Sequence, residues 1–517
     1  MSTVLAISRF ALSETGSIIE RLVRGHNDAP AVSAPDRATL THGSLRRLMA
    51  EVADQLHARG VGRGDRVAIV LPNGPEMATA FVSVAAAATT APLNPAYRAE
   101  ELDFYLTDIG AKAILVAEDE AGPAVTVAER LGIGVLRLVT LRDAPAGSFR
   151  VEGNAVGPAA APDLARAEDA ALLLHTSGTT SRPKLVPLRH ENLAASAAHI
   201  GATLKLSETD RCLNIMPLFH IHGLVAAVLS SLAAGASVFC TPGFNALKFF
   251  QWLSEAQPSW YTAVPTMHQA ILARAARNQE AVAEAQLRFI RSSSASLPAQ
   301  VMAELEATFR CPVVEAYGMT EAAHQMASNQ LPPGKRKPGS VGPAAGPEIA
   351  VMAADGRFLG PGEIGEVVIR GPNVTAGYEK NPGANETAFA YGWFHTGDQG
   401  VLDEDRYLRV TGRLKEIINR GGEKISPLEV DEVLMDHPAV AQVVTFAMPH
   451  DKLGEEVAAA IVLRDGNTAN ESEIRDFASG RLADFKVPRR IVILEEIPKG
   501  ATGKLQRIGL AAKLGLG

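Results

Sequence analysis

The sequence predicts an α/β protein. We expect a large N-terminal domain of parallel-sheet α/β subdomains plus a small β-barrel, followed by a small α+β C-terminal domain. Three observations predict this fold class. Short apolar runs alternate with helix-like stretches through most of the chain, as buried parallel strands and their crossover helices do. After about residue 330, Gly and Pro cluster and the strands become short and alternating. The pattern changes a third time near Gly412.

Four apolar runs carry the prediction of parallel sheets. The first run ends at a Pro-Asn-Gly-Pro turn, and helix-like sequence then continues to about Ala88. Short apolar runs bounded by turn residues are typical of strands that are buried on both faces. The four runs lie at 66–71, 113–117, 171–174 and 313–317.

The region after the parallel-sheet part predicts antiparallel structure. Gly and Pro concentrate at 332–346 and again at 360–365. Short strands with alternating polarity follow at 366–370 and 407–410. Such a pattern is typical of a small antiparallel barrel or sheet.

The C-terminal part begins with a hairpin and a marked helix start. Gly421 and Gly422 form a turn signal between two short apolar runs. In the next segment, Ser426 is the expected N-cap, Pro427 the first helical residue, and Glu429 the partner in a capping box.

Composition and charge exclude several function classes. The chain has 517 residues, 47% of them hydrophobic and 21% charged, and a formal net charge of −7. These values fit a globular protein and argue against a general nucleic-acid binder or a polybasic membrane anchor. The three widely spaced cysteines predict neither a disulfide framework nor a thiolate metal site. We expect a cytoplasmic protein without a secretory signal or a membrane partner.

The first chemical motif lies between an apolar strand and a second apolar run, at 172–187. It offers hydroxyl donors, one glycine that permits close backbone approach, and one lysine. Such a loop suits a polyphosphate, although it is not the usual P-loop and a serine-rich loop alone is weak evidence. Its candidate ligands are Thr176, Ser177, Gly178, Thr179, Thr180 and Lys184.

Six further segments strengthen the interpretation of this loop as a polyphosphate site. They are Met216–Gly223, Arg291–Pro298, Glu315–Glu321, Tyr391–Asp398, Gly412–Glu416 with Arg420–Lys424, and Pro498–Lys504. In this order they resemble the adenylate-forming superfamily of acyl-CoA synthetases, luciferases and peptide-synthetase adenylation domains, over nearly the whole chain. Segments 175–187, 217–223, 260–265 and 288–292 are especially similar to those of the oxalate–CoA ligases of plants and yeast.

The resemblance implies a domain organisation and a two-step reaction. It implies an AMP-binding domain at 1–411, a hinge at 412–415 centred on Lys415, and a mobile C-terminal domain at 416–517. In such enzymes a carboxylate attacks the α-phosphate of ATP, and a thiol, usually that of CoA, then displaces AMP. The implied cofactors are ATP, Mg²⁺ and coenzyme A as co-substrate.

The resemblance also implies residue roles. Lys504 would bridge the carboxylate and the α-phosphate, as a point charge suited to an anionic transition state. Glu321 would bind Mg²⁺, and Thr320 would meet the α-phosphate. Asp398 would hold the ribose diol together with Arg413. The remaining implied residues are Ser294, Ala295, Ser296, Glu315, Ala316, Tyr317 and Gly318 for the nucleotide, His220 for catalysis, and Arg420, Gly421, Gly422 and Lys424 for CoA.

The acid pocket is expected to be polar. Serines crowd the segment at 292–296 and three histidines lie on two others, whereas a fatty-acyl or aryl enzyme needs an apolar tunnel or slot. A buried second carboxylate needs such donors. We expect His222, Ser294 and His324 to hold the distal carboxylate of oxalate. The alternative is that one histidine gates the acyl entrance and the others are core polar residues.

The leading hypothesis is therefore an ATP-dependent acid–CoA ligase that forms oxalyl-CoA, AMP and pyrophosphate. Malonate, a short or medium fatty acid and 4-coumarate remain alternative acids. We expect malonate to need an arginine in the pocket, and we expect none beside Ser294. A luciferase-like oxidoreductase and a non-enzymatic adenylate sensor remain alternatives from other classes. A lysine acetyltransferase acting on Lys504 is a further expected partner.

Overall fold

The structure is a computed structural model that describes residues 17–18, 22, 24–161, 163–176, 183–500 and 504–516. Its strands form four sheets, two of them large and mostly parallel. The strands of the large sheets are β1 Pro30–Ala34, β2 Arg37–Thr41, β3 Arg66–Val70, β4 Thr89–Pro92, β5 Ala113–Ala117, β6 Gly134–Thr140, β7 Phe149–Glu152, β8 Ala170–Thr176, β9 Lys184–Arg189, β10 Arg211–Asn214, β11 Ser237–Cys240, β12 Trp260–Ala263, β13 Phe289–Ser293, β14 Val313–Met319 and β15 His324–Ser328.

Helices connect these strands, and most carry an apolar stripe that faces a sheet. They are α1 His42–Ala58, α2 Pro75–Ala85, α3 Ala99–Ile109, α4 Pro123–Arg130, α5 His190–Thr203, α6 Ser230–Ala233, α7 Phe249–Ala256, α8 Pro265–Ala275, α9 Gln279–Glu284 and α10 Ala299–Phe309, together with a π-helix at His222–Leu229 and a 3-10 turn at Thr320–Ala322. The π-helix is entirely buried, and His222 is its one polar side chain.

The two large sheets follow the order that parallel crossovers produce. The eight-stranded sheet has the order β15-β14-β13-β12-β10-β11-β1-β2, and the seven-stranded sheet has the order β7-β6-β5-β3-β4-β8-β9. Within the first sheet, β1, β11, β10, β12, β13 and β14 run parallel, and only the edge strands β2 and β15 are antiparallel. The four apolar runs singled out from the sequence are β3, β5, β8 and β14, so the predicted parallel architecture is confirmed.

The antiparallel part is a four-stranded sheet in the order β16-β17-β18-β19. Its strands are β16 Glu348–Met352, β17 Gly365–Arg370, β18 Phe394–Leu402 and β19 Leu408–Arg413, with helix α11 Pro382–Ala388 and a 3-10 turn Ala390–Gly392 between β17 and β18. The predicted antiparallel subdomain is present. Among the described residues its edge strands pair with no further strand of the sheet, so it is a sheet and not a closed barrel.

The C-terminal part is an α+β unit around a small sheet. Its elements are β20 Ile418–Arg420, β21 Glu423–Ile425, α12 Pro427–Met435, β22 Val440–His450, β23 Gly454–Leu463, α13 Glu471–Ser479, a 3-10 turn Asp484–Lys486, β24 Arg490–Ile493 and α14 Leu510–Lys513. The unit docks on the eight-stranded sheet's helices, where the Gln269 Nε2 donates to the Ala441 carbonyl at 2.9 Å. Apolar side chains of both parts share one core cluster.

The helix start near Ser426 is confirmed in part. The Ser426 Oγ accepts from the Glu429 backbone N–H at 3.3 Å, and Pro427 is the first helical residue. The reciprocal half of the capping box is not formed, because the Glu429 carboxylate instead accepts from Lys486 Nζ at 2.6 Å. Tertiary pairing with the turn at 484–486 therefore outcompetes the local bond.

Candidate functional site

The segments with candidate residues meet because four neighbouring parallel strands end at one edge of the eight-stranded sheet. Strands β10, β12, β13 and β14 are hydrogen-bonded neighbours that run in the same direction. The chain after β10 carries His220 and His222, the chain after β13 carries Ser294, and the chain after β14 carries Glu321. The carboxyl edge of a parallel sheet is where such folds bind ligands.

One group of side chains at this edge is the histidine cluster, which we define as His222, His324, Ser294 and Thr262. His222 is fully buried, with Nδ1 at 3.1 Å from Ser294 Oγ and Nε2 at 2.6 Å from Thr262 Oγ1. The ring of His324 lies 4.9 Å from that of His222. The three residues predicted to hold the acid are therefore brought together.

The two histidines of this cluster are uncharged at neutral pH. Burial holds the pKa of His222 well below its usual range, and the positive charges near it act in the same direction. Burial and the charge of Arg291 do the same to the pKa of His324. A neutral imidazole offers one donor and one acceptor, and His222 uses both on Ser294 and Thr262. The buried Nδ1 of His324 has no partner among the described residues. His324 and Ser294 are therefore the members that can bind a carboxylate through hydrogen bonds without supplying charge.

Gly318 has a packing role that explains why the strand-end motif contains a glycine. A Cβ at Gly318 would lie 1.7 Å from the His324 carbonyl oxygen, which forbids any side chain there.

The backbone of two acid-pocket candidates is in the left-handed region: His324 has φ of 102°, and Ser294 has φ of 75°. Both acid-pocket candidates thus sit in backbone conformations that side chains rarely adopt, a feature common at functional sites.

A second group is the charged cluster, which we define as Lys184, Glu321, Asp398, Arg413 and Lys504. Asp398 lies on β18 opposite Arg413 of β19, and the Arg413 Nε is 3.1 Å from the Asp398 Oδ1. The Tyr317 hydroxyl also donates to the Asp398 carboxylate. Burial raises the pKa of Asp398, while Arg413 and Tyr317 oppose that shift.

Glu321 is held in place by a neighbouring loop. Its Oε1 accepts from the Tyr378 hydroxyl at 2.8 Å, and its backbone carbonyl accepts from the Thr375 N–H at 2.7 Å. Burial raises the pKa of Glu321, and the positive charges of Arg413 and Lys184 lower it. The Lys184 Nζ stands 4.3 Å from the centroid of the Tyr378 ring.

Lys504 connects the two clusters. Burial lowers its pKa to about 8, with Arg413 acting in the same direction and Asp398 and Glu321 opposing it. Burial lowers the pKa of His220 to about 3, and the charge of Lys504 contributes. The C-terminal lysine therefore lies within electrostatic reach of both the acidic side chains and the histidine that precedes the π-helix.

Some predicted nucleotide residues have structural partners. The Glu315 Oε1 accepts from the Leu297 N–H at 2.9 Å, which ties β14 to the chain that follows Ser294, Ala295 and Ser296. The Ala316 carbonyl accepts from the Ser293 Oγ at 2.8 Å. Thr320 opens the 3-10 turn that places Glu321. Their contact with a nucleotide stays a prediction.

The predicted phosphate loop is described only at its two ends. Thr176 ends β8 and pairs with Lys184, the first residue of β9. Ser177, Gly178, Thr179 and Thr180 lie outside the described residues.

The predicted CoA residues form the confirmed hairpin β20–β21. Gly421 and Gly422 have φ of 59° and 101°, which the tight turn requires. The Arg420 Nε is 2.6 Å from Glu456 Oε1, while Lys424 is exposed. Lys415, the predicted hinge, is exposed in the turn between β19 and β20. Among the described residues no hydrogen bond or ion pair joins this hairpin to Asp398, and its CoA role stays a prediction.

The sequence-based expectation about arginine was wrong. Arg291 lies three positions before Ser294 and is completely buried. Its charge is the second-largest cause of the lowered pKa of His324, after burial. Thr262 and Tyr378 were also missed as partners of His222 and Glu321. The one available signal for Arg291 was a charged residue directly after the apolar pair Phe289 and Ile290 in a short strand-like run.

The described residues contain neither a preformed metal cluster nor a membrane-spanning helix. Within the described ranges, no group of three or more His, Cys, Asp or Glu side chains is arranged to hold a metal ion. No helix in the described part of the chain has the length and apolarity to cross a bilayer.

Comparisons with known proteins agree with this arrangement. The family model described as AMP-binding enzyme matches residues 19–379, and the AMP-binding enzyme C-terminal domain matches residues 429–504. An oxalate–CoA ligase of Arabidopsis thaliana is 47% identical over 499 residues, with 95% of this chain and 96% of that protein covered. An oxalate–CoA ligase of Saccharomyces cerevisiae is 41% identical over 476 residues, with 86% of each covered.

A solved structure also matches. ATP-bound MatB from Rhodopseudomonas palustris has a TM-score of 0.85 at 29% identity, with 95% of this chain and 97% of that chain covered. The apo form of the same protein has a TM-score of 0.77. The placement of Lys504 against the charged cluster thus accompanies an overall shape that is more similar to the ATP-bound form. The chain belongs to the AMP-binding enzyme family and is an AMP-forming acyl-CoA synthetase, which uses ATP and CoA.

Proposed function

We propose that this enzyme is an oxalate–CoA ligase. It would convert oxalate, ATP and CoA to oxalyl-CoA, AMP and pyrophosphate. The observation that carries the proposal is the histidine cluster, in which three polar side chains converge at the edge of the sheet where a fatty-acyl enzyme would need apolar space. The two relatives named for oxalate support the same choice of acid.

The proposed first step is attack on ATP. One carboxylate oxygen of oxalate forms a bond to the α-phosphorus, and the bond from that phosphorus to the bridging oxygen of pyrophosphate breaks. Negative charge gathers at the α-phosphate, and Lys504 is the cation placed to offset it. Asp398 would accept hydrogen bonds from the ribose diol, and Tyr317 would lie against the adenine.

Glu321 is the residue that would hold Mg²⁺. Its carboxylate is buried, yet among the residues that the structure describes only the Tyr378 hydroxyl is a side-chain hydrogen-bond donor to it. Mg²⁺ is commonly bound by one or two protein carboxylates together with substrate phosphates, so a single glutamate fits. The ion would neutralise phosphate charge when bound with ATP.

The proposed second step is thioester formation. The CoA thiol attacks the activated carbonyl carbon, and AMP leaves. We infer that the hairpin at 420–424 replaces the Lys504 segment at the site through rotation about Lys415, because the glycine turn leaves room for a narrow thiol chain. Acetylation of Lys504 by a lysine acetyltransferase would remove its charge and block only the first step.

Malonate is the second candidate acid. The buried Arg291 removes the reason for disfavouring it, since a cation does lie close to the histidine cluster. The histidine cluster and the buried Arg291 together favour a short acid that carries a second carboxylate.

A substrate panel tests the proposal. Purified enzyme with ATP, Mg²⁺ and CoA is given oxalate, malonate, acetate, octanoate or 4-coumarate, and AMP release is followed. We expect oxalate to be preferred. Replacing Ser294 by alanine removes the hydroxyl beside His222 and should lower kcat/KM for oxalate on the order of tenfold or more.

Ser292→Ala is the matched control. The Ser292 hydroxyl is buried on β13, two residues before Ser294, and it has no hydrogen-bond partner among the described residues. We expect this variant to keep the activity of the wild type. Preference for octanoate or 4-coumarate would contradict the proposed acid and keep the ligase chemistry.

A further inference from the structure

The guanidinium of Arg291 is buried without a counter-charge in the described part of the chain. The side chain is 0% exposed, and its Nε and Nη1 have no hydrogen-bond partner among the described residues. Its Nη2 is 3.4 Å from Gln325 Oε1, the outer limit of a hydrogen bond. No carboxylate among the described residues forms an ion pair with it. Burying a charge without a counter-charge is strongly unfavourable, so this arrangement needs a reason.

Arg291 lies beneath the histidine cluster. It is the register partner of Thr262 on the next strand, so the two side chains project from the same face of the sheet. Thr262 in turn contacts the ring of His222. On the other side, Gln325 follows His324 directly on β15. Thr262 thus joins the position of Arg291 to His222, and the charge of Arg291 reaches both histidine rings, where, in addition to burial, it lowers the pKa of each.

The cluster and Arg291 together carry one positive charge and no negative one. The histidines are neutral, because burial and the nearby cations, including Arg291, depress their pKa values. Ser294 and Thr262 are neutral as well. The pocket therefore lacks an anion, and a ligand that brings one would be favoured over a ligand that does not.

We propose that Arg291 determines the specificity of the acid site: its buried charge selects acids that carry a second negative group beside the carboxylate that reacts. The proposal rests on the proposed function and deepens it. Ser294 and His324, whose Nδ1 has no partner among the described residues, supply the hydrogen bonds to the second carboxylate. His222 holds Ser294 and Thr262 through its two ring nitrogens, and Arg291 supplies the opposite charge. A purely structural role, in which Arg291 only anchors Gln325, is the competing explanation.

The test compares oxalate with oxamate, in which a neutral amide replaces the second carboxylate at nearly the same size. Pyrophosphate release gives kcat/KM for both acids. In Arg291→Met, we expect kcat/KM for oxalate to fall on the order of 100-fold, as loss of a buried charge partner does. The value for oxamate should change little. Arg291→Lys keeps a charge and should retain part of the preference for oxalate.

Thermal stability and oxalate binding provide readouts that do not depend on turnover. Because Arg291 is buried without a counter-charge, Arg291→Met should keep or raise Tm, while calorimetry should show weaker oxalate binding. Arg288→Met is the contrast. Its guanidinium is ion-paired with Asp210 at 3.0 Å, so that variant should lower Tm and affect both acids alike.

Each outcome decides the inference. Equal losses on oxalate and oxamate in Arg291→Met, or a lower Tm with unchanged preference, would overturn it and leave the proposed function standing. If the wild type prefers malonate, the same comparison is made with malonate and its monoamide, and the inference survives a failure of the oxalate assignment. A wild type that prefers an acid without a second charge would overturn both.

Discussion

The histidine cluster and the charged cluster both lie within electrostatic reach of Lys504, but they differ in the charge they carry. The histidine cluster is built within residues 222–324, and its four members are neutral. The charged cluster draws Lys184, Glu321, Asp398, Arg413 and Lys504 from five separate segments, and its cations and carboxylates face each other. The first cluster is built from the eight-stranded sheet and the π-helix beside it, whereas the second also takes residues from the other two sheets of the N-terminal part and from the C-terminal part.

Only the charged cluster takes a residue, Lys504, from the C-terminal part, and this difference explains how one site can serve two steps. If the C-terminal domain rotates as proposed, the histidine cluster would stay in place, because its members belong to the eight-stranded sheet and the π-helix beside it. The charged cluster would lose Lys504 in that rotation. We therefore expect substitution of Lys504 to affect adenylation but not thioester formation. Substitutions in the histidine cluster should change which acid the enzyme uses in both steps.

The largest effect is expected at Lys504. Lys504→Gln, which also mimics acetylation, should lower the rate of acyl-adenylate formation on the order of 100- to 1000-fold, because it removes a charge aimed at the transition state. Thioester formation from preformed adenylate should be nearly unchanged. Single-turnover assays measure the two rates separately.

Lys499→Gln is the control for that variant. Lys499 lies in the same segment and pairs with Glu496 at the surface, 2.9 Å away. We expect it to behave as the wild type. A Lys504→Gln enzyme that adenylates at full rate would contradict the assigned role and the acetylation proposal together.

The next effect concerns the carboxylate of Asp398. Asp398→Asn keeps the size but weakens both the bond from Tyr317 and the pairing with Arg413, and it should raise KM for ATP roughly tenfold or more. KM for the acid should change far less. Asp403→Asn, which disturbs the pair with Lys337 and leaves an oxygen to accept from the Tyr407 N–H, serves as the control. Equal changes in both KM values would show that Asp398 supports the fold and not the nucleotide.

A pH profile distinguishes the two clusters in the wild type. The Lys504 ammonium is charged below its pKa of about 8 and neutral above it. Since kcat/KM reports the free enzyme, adenylation should decline as pH rises through about 8. In Lys504→Arg the guanidinium stays charged above that pH. Any remaining activity of this variant should therefore decline only at a higher pH than the activity of the wild type. The same falling limb in both enzymes would exclude Lys504 as its source.

The smallest effect is on stability, at Glu315. Burial raises its pKa from the ordinary 4.5 to about 8, so the folded protein holds this proton while the unfolded chain has released it. Stability should therefore fall as pH rises between about 4.5 and 8 and level off above that range. Glu315→Gln removes this dependence. Tm measured across the range should fall by a few degrees more in the wild type than in the variant.

The sequence determined the elements and most of the candidate residues of this protein. Apolar runs bounded by turn residues identified β3, β5, β8 and β14, because a strand buried on both faces has little choice of composition. The order of the motifs identified the family. The crowding of serines and histidines indicated a polar pocket, and His222, Ser294 and His324 do meet there.

Only the tertiary structure decided the charge of that pocket. Arg291 was overlooked because sequence distance from Ser294 does not tell which face of a strand a side chain occupies, whereas the pairing with Thr262 does. The neutral state of the histidines and the raised pKa of Glu315 also depend on burial and on neighbours from other strands. Proton affinity is a property of surroundings, so residue types alone could not establish it.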